Sequence, residues 1–394
     1  MVARFTNARK RIARIFAFAS LAWLAACDVA LDPNANTGRQ IDVGEPIEVA
    51  LLVPGGSAQE SDNQLARNFE NAARLAIADL QGAEIDLRVY NTAGGNPQQA
   101  AIAATQAVND GAKIIIGPLF GEAANAAGVA VAARNVNVLT FSNNTAFAGG
   151  NVFLLGATFD NTAQRLVRYA NGRGIARYLI AHGDDLAGQV GRDAIANAVT
   201  ANGGEVVGVV SYPLSQQGIF SQTRSMVSTV RSAGAQAIFT TAGASADLPI
   251  IATALPDAGV DITRSPFVGL TRWDTLPQLR DLPGLQGGLF ALPDQGTTAL
   301  FEARYTATYG TAPHPLAGLA YDGIAAIGAL AAAGNAGAVT KEALIQPQGF
   351  RGTAGVFRFL PNGLNERGLA VATFQDNQVV ILDPAPRSFG VPGL

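Results

Sequence analysis

Few side chains in this 394-residue chain could do covalent or acid–base chemistry, since it holds one cysteine, Cys27, and two histidines, His182 and His314. His182 precedes Asp184 and Asp185, a spacing that could be drawn as a base or a metal pair. With no second histidine nearby, it reads instead as a loop-lining or capping residue. His314 lies in Ala312-Pro313-His314-Pro315, where two prolines fix a turn. Gly172-Arg173-Gly174 precedes a strand pattern instead of following one, so it is no dinucleotide fingerprint, and no Walker A sequence is present. No nucleophile, base and orienting group can be assembled from this inventory. The expectation is a chain with no catalytic residue, no metal site and no cofactor. Nucleic acid is an equally poor partner, because only 14% of residues are charged and 27 basic residues face 30 acidic ones.

The cysteine has a chemistry of its own. Residues 1–14 carry Arg4, Arg9, Lys10, Arg11 and Arg14 with no acid, and Ile15 to Ala26 is an apolar run with only Ser20 polar. That is a secretory signal, with an apolar stretch too short for a comfortable membrane span. It ends Leu24-Ala25-Ala26-Cys27, which resembles the lipobox of bacterial lipoproteins. The resemblance implies a diacylglyceryl group on Cys27, cleavage after residue 26 and a membrane anchor through the N-terminal lipid. Residues 1–26 hold five basic residues and no acid, so their removal leaves 22 basic against 30 acidic residues, a net charge of −8. Asp28 to Pro46 lacks apolar periodicity and reads as a tether, with a random-coil span of roughly 25 Å.

From Ile47 strands alternate with helices. Ile47–Val53 is a nearly continuous apolar run, broken only by Glu48, that ends in Pro54-Gly55-Gly56-Ser57, as a doubly buried parallel strand meets a loop. Leu65, Phe69, Ala72, Ala76 and Leu80 then form one helical stripe. Strands follow at Ile85–Tyr90, Lys113–Ile116 and Val136–Phe141, with helices between them, and the same order restarts near Gln164. Repeated β-α-β units with short connections specify parallel sheets with right-handed crossovers. Beyond two late helices, the turns Pro361-Asn362-Gly363 and Asp376-Asn377 favour antiparallel strands at 356–359, 369–374 and 379–382. The Ala- and Gly-rich stretch Gly323 to Ala338 is too short and weakly apolar for a membrane span and reads as a tightly packed helix.

VALLVPGGS at the first strand, NAARLAIADL on the first helix, LRVYNT, and Val108-Asn109-Asp110-Gly111-Ala112-Lys113-Ile114-Ile115-Ile116-Gly117-Pro118 together resemble the type I periplasmic binding proteins of the Leu/Ile/Val-receptor kind. The resemblance implies an α/β fold of two doubly wound, Rossmann-like lobes joined by a three-crossover hinge. Its layout is a signal at 1–26, a tether at 27–46, lobe 1 at 47–155 and 291–350, lobe 2 at 156–290 and 351–383, and a tail at 384–394. Crossovers are expected near Phe153–Asp160, Leu289–Asp294 and Gly349–Gly355. Ligands in open α/β sheets bind at the carboxyl ends of strands, which places Ser57, Glu122, Ser142, Asn144, Asp184, Thr271, Arg272, Trp273 and Asp274 as cleft candidates.

Amino-acid receptors of this family hold a zwitterion with Ser and Thr hydroxyls, a Tyr and a later acid. Here the third-strand loop, Phe120-Gly121-Glu122-Ala123, has no hydroxyl, the Tyr position reads Ala187-Gly188, and Asp274 stands where the acid could be replaced. Thr271-Arg272-Trp273-Asp274, Leu285–Asp294 and Phe350–Phe359 instead resemble the penicillin-binding protein activator branch. That resemblance implies a non-enzymatic lipoprotein regulating peptidoglycan synthesis through contact with a synthase. The alternative is a solute receptor delivering an amino acid or similar small polar ligand to the membrane subunits of an ABC importer. Trp273 has two readings, a ligand platform or a buried anchor.

Overall fold

A computed structural model describes residues 36–390 of the chain. The signal and Cys27 lie outside the described residues. Strands β1 (Ile47–Val53), β2 (Ile85–Asn91), β3 (Ile114–Ile116), β4 (Asn137–Thr140) and β5 (Val152–Leu154) form a parallel sheet in the order β2-β1-β3-β4-β5. Helices α1 (Glu60–Asp79), α2 (Pro97–Asn109) and α3 (Gly121–Ala132) connect its strands. The all-isoleucine β3 is buried on both faces, which is why it reads as an unbroken apolar run. The stripe on α1 is buried at Leu65, Phe69, Ala72 and Ala76, and Phe69 stacks on Phe141 at 4.2 Å between ring centroids.

The second sheet takes β6 (Arg177–Gly183), β7 (Glu205–Tyr212), β8 (Ala237–Thr240), β9 (Phe267–Gly269) and β10 (Leu289–Leu292), parallel to one another. Helices α4 (Phe159–Asn171), α5 (Leu186–Ala201), α6 (Gln216–Ser232) and α7 (Leu248–Asp257) accompany them. An antiparallel pair, β14 (Ala370–Gln375) and β15 (Gln378–Asp383), completes the order β15-β14-β10-β9-β8-β6-β7. Asp376 and Asn377 turn that hairpin with φ of +51° and +61°, a conformation Asp and Asn tolerate better than most residues.

Helices α8 (Gln295–Tyr309) and α9 (Gly318–Ala332) and the short α10 (Lys341–Leu344) return to the first lobe, where Phe301, Tyr305, Ile324, Ile327 and Leu344 enter its core. On α9, Gly328 faces Leu80 so closely that an added Cβ would lie 2.4 Å from its Cδ2. The Ala/Gly composition is thus spent on close packing, and no helix of the described residues is long and apolar enough to cross a membrane.

Two boundaries differ from the sequence reading. Strands β11 (Phe350–Gly352), β12 (Gly355–Phe359) and β13 (Asn365–Arg367) form a separate antiparallel sheet, and Phe350, Phe357 and Phe359 pack with Phe153 in the first lobe's core. The third crossover therefore falls at Gly368–Leu369, after β13, and not near 349–355. The turn at Pro361-Asn362-Gly363 joins β12 to β13, and the phenylalanines of this sheet are buried in the first lobe's core. The expected tether at 27–46 is also shorter than composition implied, since its second half is docked. Thr37 Oγ1 donates to Asn137 Oδ1 at 2.6 Å, Gly38 N to Asn135 Oδ1 at 3.0 Å, Lys341 N to the Thr37 carbonyl at 2.6 Å, and Ile41 is buried in the first lobe's core. Asn and Gly made this segment look unstructured, yet they supply its hydrogen bonds.

Candidate functional site

Strand order locates the site before any side chain is considered. In the first sheet the order reverses between β1 and β3, and in the second between β6 and β8. Loops at the carboxyl ends of such neighbours diverge and leave a crevice. Two crossovers leave from carboxyl ends as well: β5 runs into Thr158, the N-cap of α4, and β10 into Asp294, the N-cap of α8. The carboxyl ends of both sheets thus adjoin the hinge.

A cavity of about 490 Å³ occupies the second lobe's reversal point. Its apolar wall includes Phe159, Leu214, Ile219 and Ile250, and its polar groups include Asp185, Ser215, Thr241, Asp247 and Thr271. Four of these are tied to the backbone: Asp185 caps α5 through Gly188 N, Ser215 caps α6 through Gly218 N, Thr241 Oγ1 accepts from Gly183 N at 3.2 Å, and Thr271 Oγ1 donates to the Ala242 carbonyl at 2.8 Å. Asp247 is buried. It accepts from Gly243 N at 2.6 Å and from the Tyr212 hydroxyl at 2.6 Å. Burial first, and the Asp247 carboxylate second, push the Tyr212 phenol far up, so it is a neutral donor at any working pH. Each carboxylate oxygen has further lone-pair capacity toward the cavity.

In the first lobe the candidates fall on adjacent loops. Ser57, after β1, accepts from Gln59 N at 3.1 Å. Glu122 is exposed in the first turn of α3, whose N-cap, Phe120, provides no side-chain cap. Ser142, after β4, is buried; its Oγ accepts from Asn144 N at 3.1 Å and keeps its own proton to donate. Asn144 caps the turn at 145–147. The structure therefore brings Ser57, Glu122, Ser142 and Asn144 to one end of one sheet, and Asp184 and Thr271 to the matching end of the other.

Three other candidates are placed differently. Trp273 is fully buried among Phe267, Phe290 and Phe374, 5.3 Å from the Phe290 ring. It is a core residue of the second lobe and not a cleft platform. Its ring lies so close to Gly269 that an added Cβ would meet Nε1 at 2.2 Å. Asp274 pairs with Arg272, Nε to Oδ1 at 3.0 Å, so each neutralises the other. Of the two acids lining the cavity, Asp185 is engaged as a helix cap and the buried one is Asp247, which sequence reading missed. The signal was an acid just past the Ala242–Ser245 loop, ahead of a helix starting Leu248-Pro249. Among the described residues no group of three or more His, Cys, Asp or Glu could hold a metal ion.

The hinge carries a buried polar node. Arg367 reaches Asp322 Oδ2 at 3.4 Å and donates to the Leu155 carbonyl, while Asp322 Oδ1 accepts from Thr353 N at 2.7 Å. Asn365 Nδ2 donates to the carbonyls of Leu154 and Gly156, and Asn161 Nδ2 to the Asn365 carbonyl. Desolvation raises the Asp322 carboxyl above its ordinary range, with Arg367 opposing.

Two parallel-sheet lobes with strand-end loops flanking a hinge define a two-lobed ligand-binding protein. The chain belongs to the periplasmic binding protein family, whose model matches residues 46–377. Among solved structures, a candidate branched-chain amino acid ABC transporter protein from Rhodospirillum rubrum is 18% identical, covering 86% of this chain and 100% of that one at a TM-score of 0.72. An ABC transporter substrate-binding protein from Desulfitobacterium hafniense in complex with Leu is also 18% identical, covering 86% and 100% at 0.60. An uncharacterized protein of Rickettsia prowazekii is 22% identical over 163 residues, so the match spans 41% of this chain and 42% of that relative.

Proposed function

We propose that this protein is a periplasmic, non-enzymatic solute receptor of an ABC importer, taking a small amino-acid-like zwitterion with an apolar side chain. The carrying observation is Asp247, a buried carboxylate held by Tyr212 and Gly243 N in the second-lobe cavity. A ligand ammonium would bond to Asp247, its side chain would meet Leu214, Ile219 and Ile250, and its carboxylate would take the Ser142 hydroxyl and the amides opening α3. A structural neighbour named as a branched-chain amino acid ABC transporter protein, and a substrate-binding protein solved in complex with Leu, support the reading. Membrane subunits of the importer are the implied partner, and a lipid on Cys27 is the implied anchor.

The reading as a regulator of peptidoglycan synthesis rests on motifs whose aromatic members, Trp273, Phe350, Phe357 and Phe359, are buried in the lobe cores. They account for packing, and no feature of the described surface favours a synthase as partner.

A thermal-shift screen of free amino acids tests the proposal. At a hundredfold excess over Kd a receptor gains about 2.7 kcal/mol. Leucine, isoleucine, valine or phenylalanine should raise Tm, and Asp247→Asn should abolish the shift. A set of amino acids that leaves Tm unmoved, or an undiminished shift in Asp247→Asn, overturns it.

A further inference from the structure

A second cavity, of about 880 Å³, opens on the hinge side, between α4 and β15 of the second lobe and the β12–β13 hairpin. Most of the charges lining it are already matched. Arg165 pairs with Asp383 at 2.7 Å, Arg358 Nε with Glu366 at 2.8 Å, and Arg367 with Asp322. Two opposite charges remain. Asp160 is half-buried with no ionic partner among the described residues, and Arg168 is exposed with neither ion pair nor side-chain hydrogen bond among them. Desolvation raises the Asp160 carboxyl, as befits an acid short of a cation. A third group is unmet as well: Asn365, 4% exposed, lines the cavity, and its Oδ1 has no hydrogen-bond partner.

The spacing selects the ligand. Asp160, Gln164 and Arg168 lie on one face of α4, the first and last about 12 Å apart at 1.5 Å per residue. An extended peptide advances about 3.3–3.6 Å per residue, so three or four residues put an ammonium and a carboxylate at the two ends. Leu360, Leu364, Pro386 and Phe389 supply an apolar wall between them. We propose that this groove is a second binding site, for a short zwitterionic peptide whose ammonium meets Asp160, whose carboxylate meets Arg168, and one of whose amides donates to Asn365. A helix N-terminus alone favours an acid at Asp160 but explains neither Arg168 nor Asn365. A peptide there would touch both lobes beside the hinge, independently of the cleft.

Calorimetric titration of the purified protein with tri-L-alanine tests this, alongside N-acetylated and C-amidated tri-L-alanine. The expected result is saturable binding of the free peptide, weakened about tenfold or more by either cap, the size of one lost charge-assisted bond. Asp160→Asn should erase the penalty for acetylation and Arg168→Gln that for amidation. Binding should persist in Asp247→Asn, which separates this site from the cleft. Absence of heat at about 10 mM peptide, a weak limit of some 3 kcal/mol, equal affinity for all three peptides, or loss of binding in Asp247→Asn overturns the assignment.

Discussion

At the scale of single residues the ion pair of Arg367 and Asp322 has the sharpest consequence. Both side chains are at least nine-tenths buried, so removing one leaves the other's charge without compensation. Arg367→Leu should cost about 3–5 kcal/mol at neutral pH. The sign with pH follows from the raised Asp322 carboxyl. A folded-state pKa above the unfolded value, about 3.9, gives a contribution that is greatest in acid and is lost as pH rises from the unfolded toward the folded pKa. Without Arg367 the folded pKa rises further, so the variant should regain stability relative to wild type as pH falls from 7 toward 4. Urea denaturation at several pH values reads this out; a variant whose deficit is flat with pH means that Asp322 is neutral throughout or solvated. Trp273 belongs to the same scale. Trp273→Ala should cost about 3–5 kcal/mol as a core cavity, measured by the same denaturation, and leave ligand selectivity unchanged in the thermal-shift screen. The sequence could not decide whether this tryptophan faced ligand or core, because a Gly-rich neighbourhood suits both. Gly269 and Gly288 turned out to make room for the ring itself.

Among elements, periodicity made the parallel strands and long helices readable, since doubly buried strands and amphipathic stripes leave strong marks. What stayed hidden were contacts made by polar residues. The segment at 36–46 has almost no apolar pattern, yet Asn137, buried in β4, accepts from Thr37 Oγ1 and donates to the carbonyls of Thr37 and Val339. Its amide is an anchor whose partners lie 100 and 202 residues away, beyond any local signal. Asn137→Ala should cost about 2 kcal/mol or more, as buried acceptors lose their donor. It should also expose residues 36–46 to limited proteolysis at protease levels that spare the wild-type chain. A segment that stays resistant in the variant would mean that Ile41 alone holds it. The β11–β13 sheet was misassigned to the second lobe for a similar reason, because a hairpin pattern does not say which core its phenylalanines will join.

For the whole molecule the question is what joins the lobes when ligand arrives. A ligand shifts an open–closed equilibrium only by its differential affinity for the two forms, and moving it from 1:99 to 99:1 takes about 5.5 kcal/mol. Asp247, Tyr212 and the apolar wall all belong to the second lobe, so contacts to them alone favour neither form. Differential affinity must come from the first lobe, where Ser142 keeps a free hydroxyl proton on the loop after β4 and α3 opens without a side-chain cap. Binding and closure should therefore separate by mutation. Asp247→Asn should lose binding. Ser142→Ala should still bind an amino acid at the second lobe, more weakly by about 0.5–1.5 kcal/mol, but fail to close fully. Small-angle scattering with and without saturating ligand checks this, since closure about the hinge at Leu155–Thr158, Pro293–Asp294 and Gly368–Leu369 reduces the radius of gyration. A Ser142→Ala protein that compacts like wild type would move the closing contact elsewhere, to the backbone amides of α3 or to Asn144.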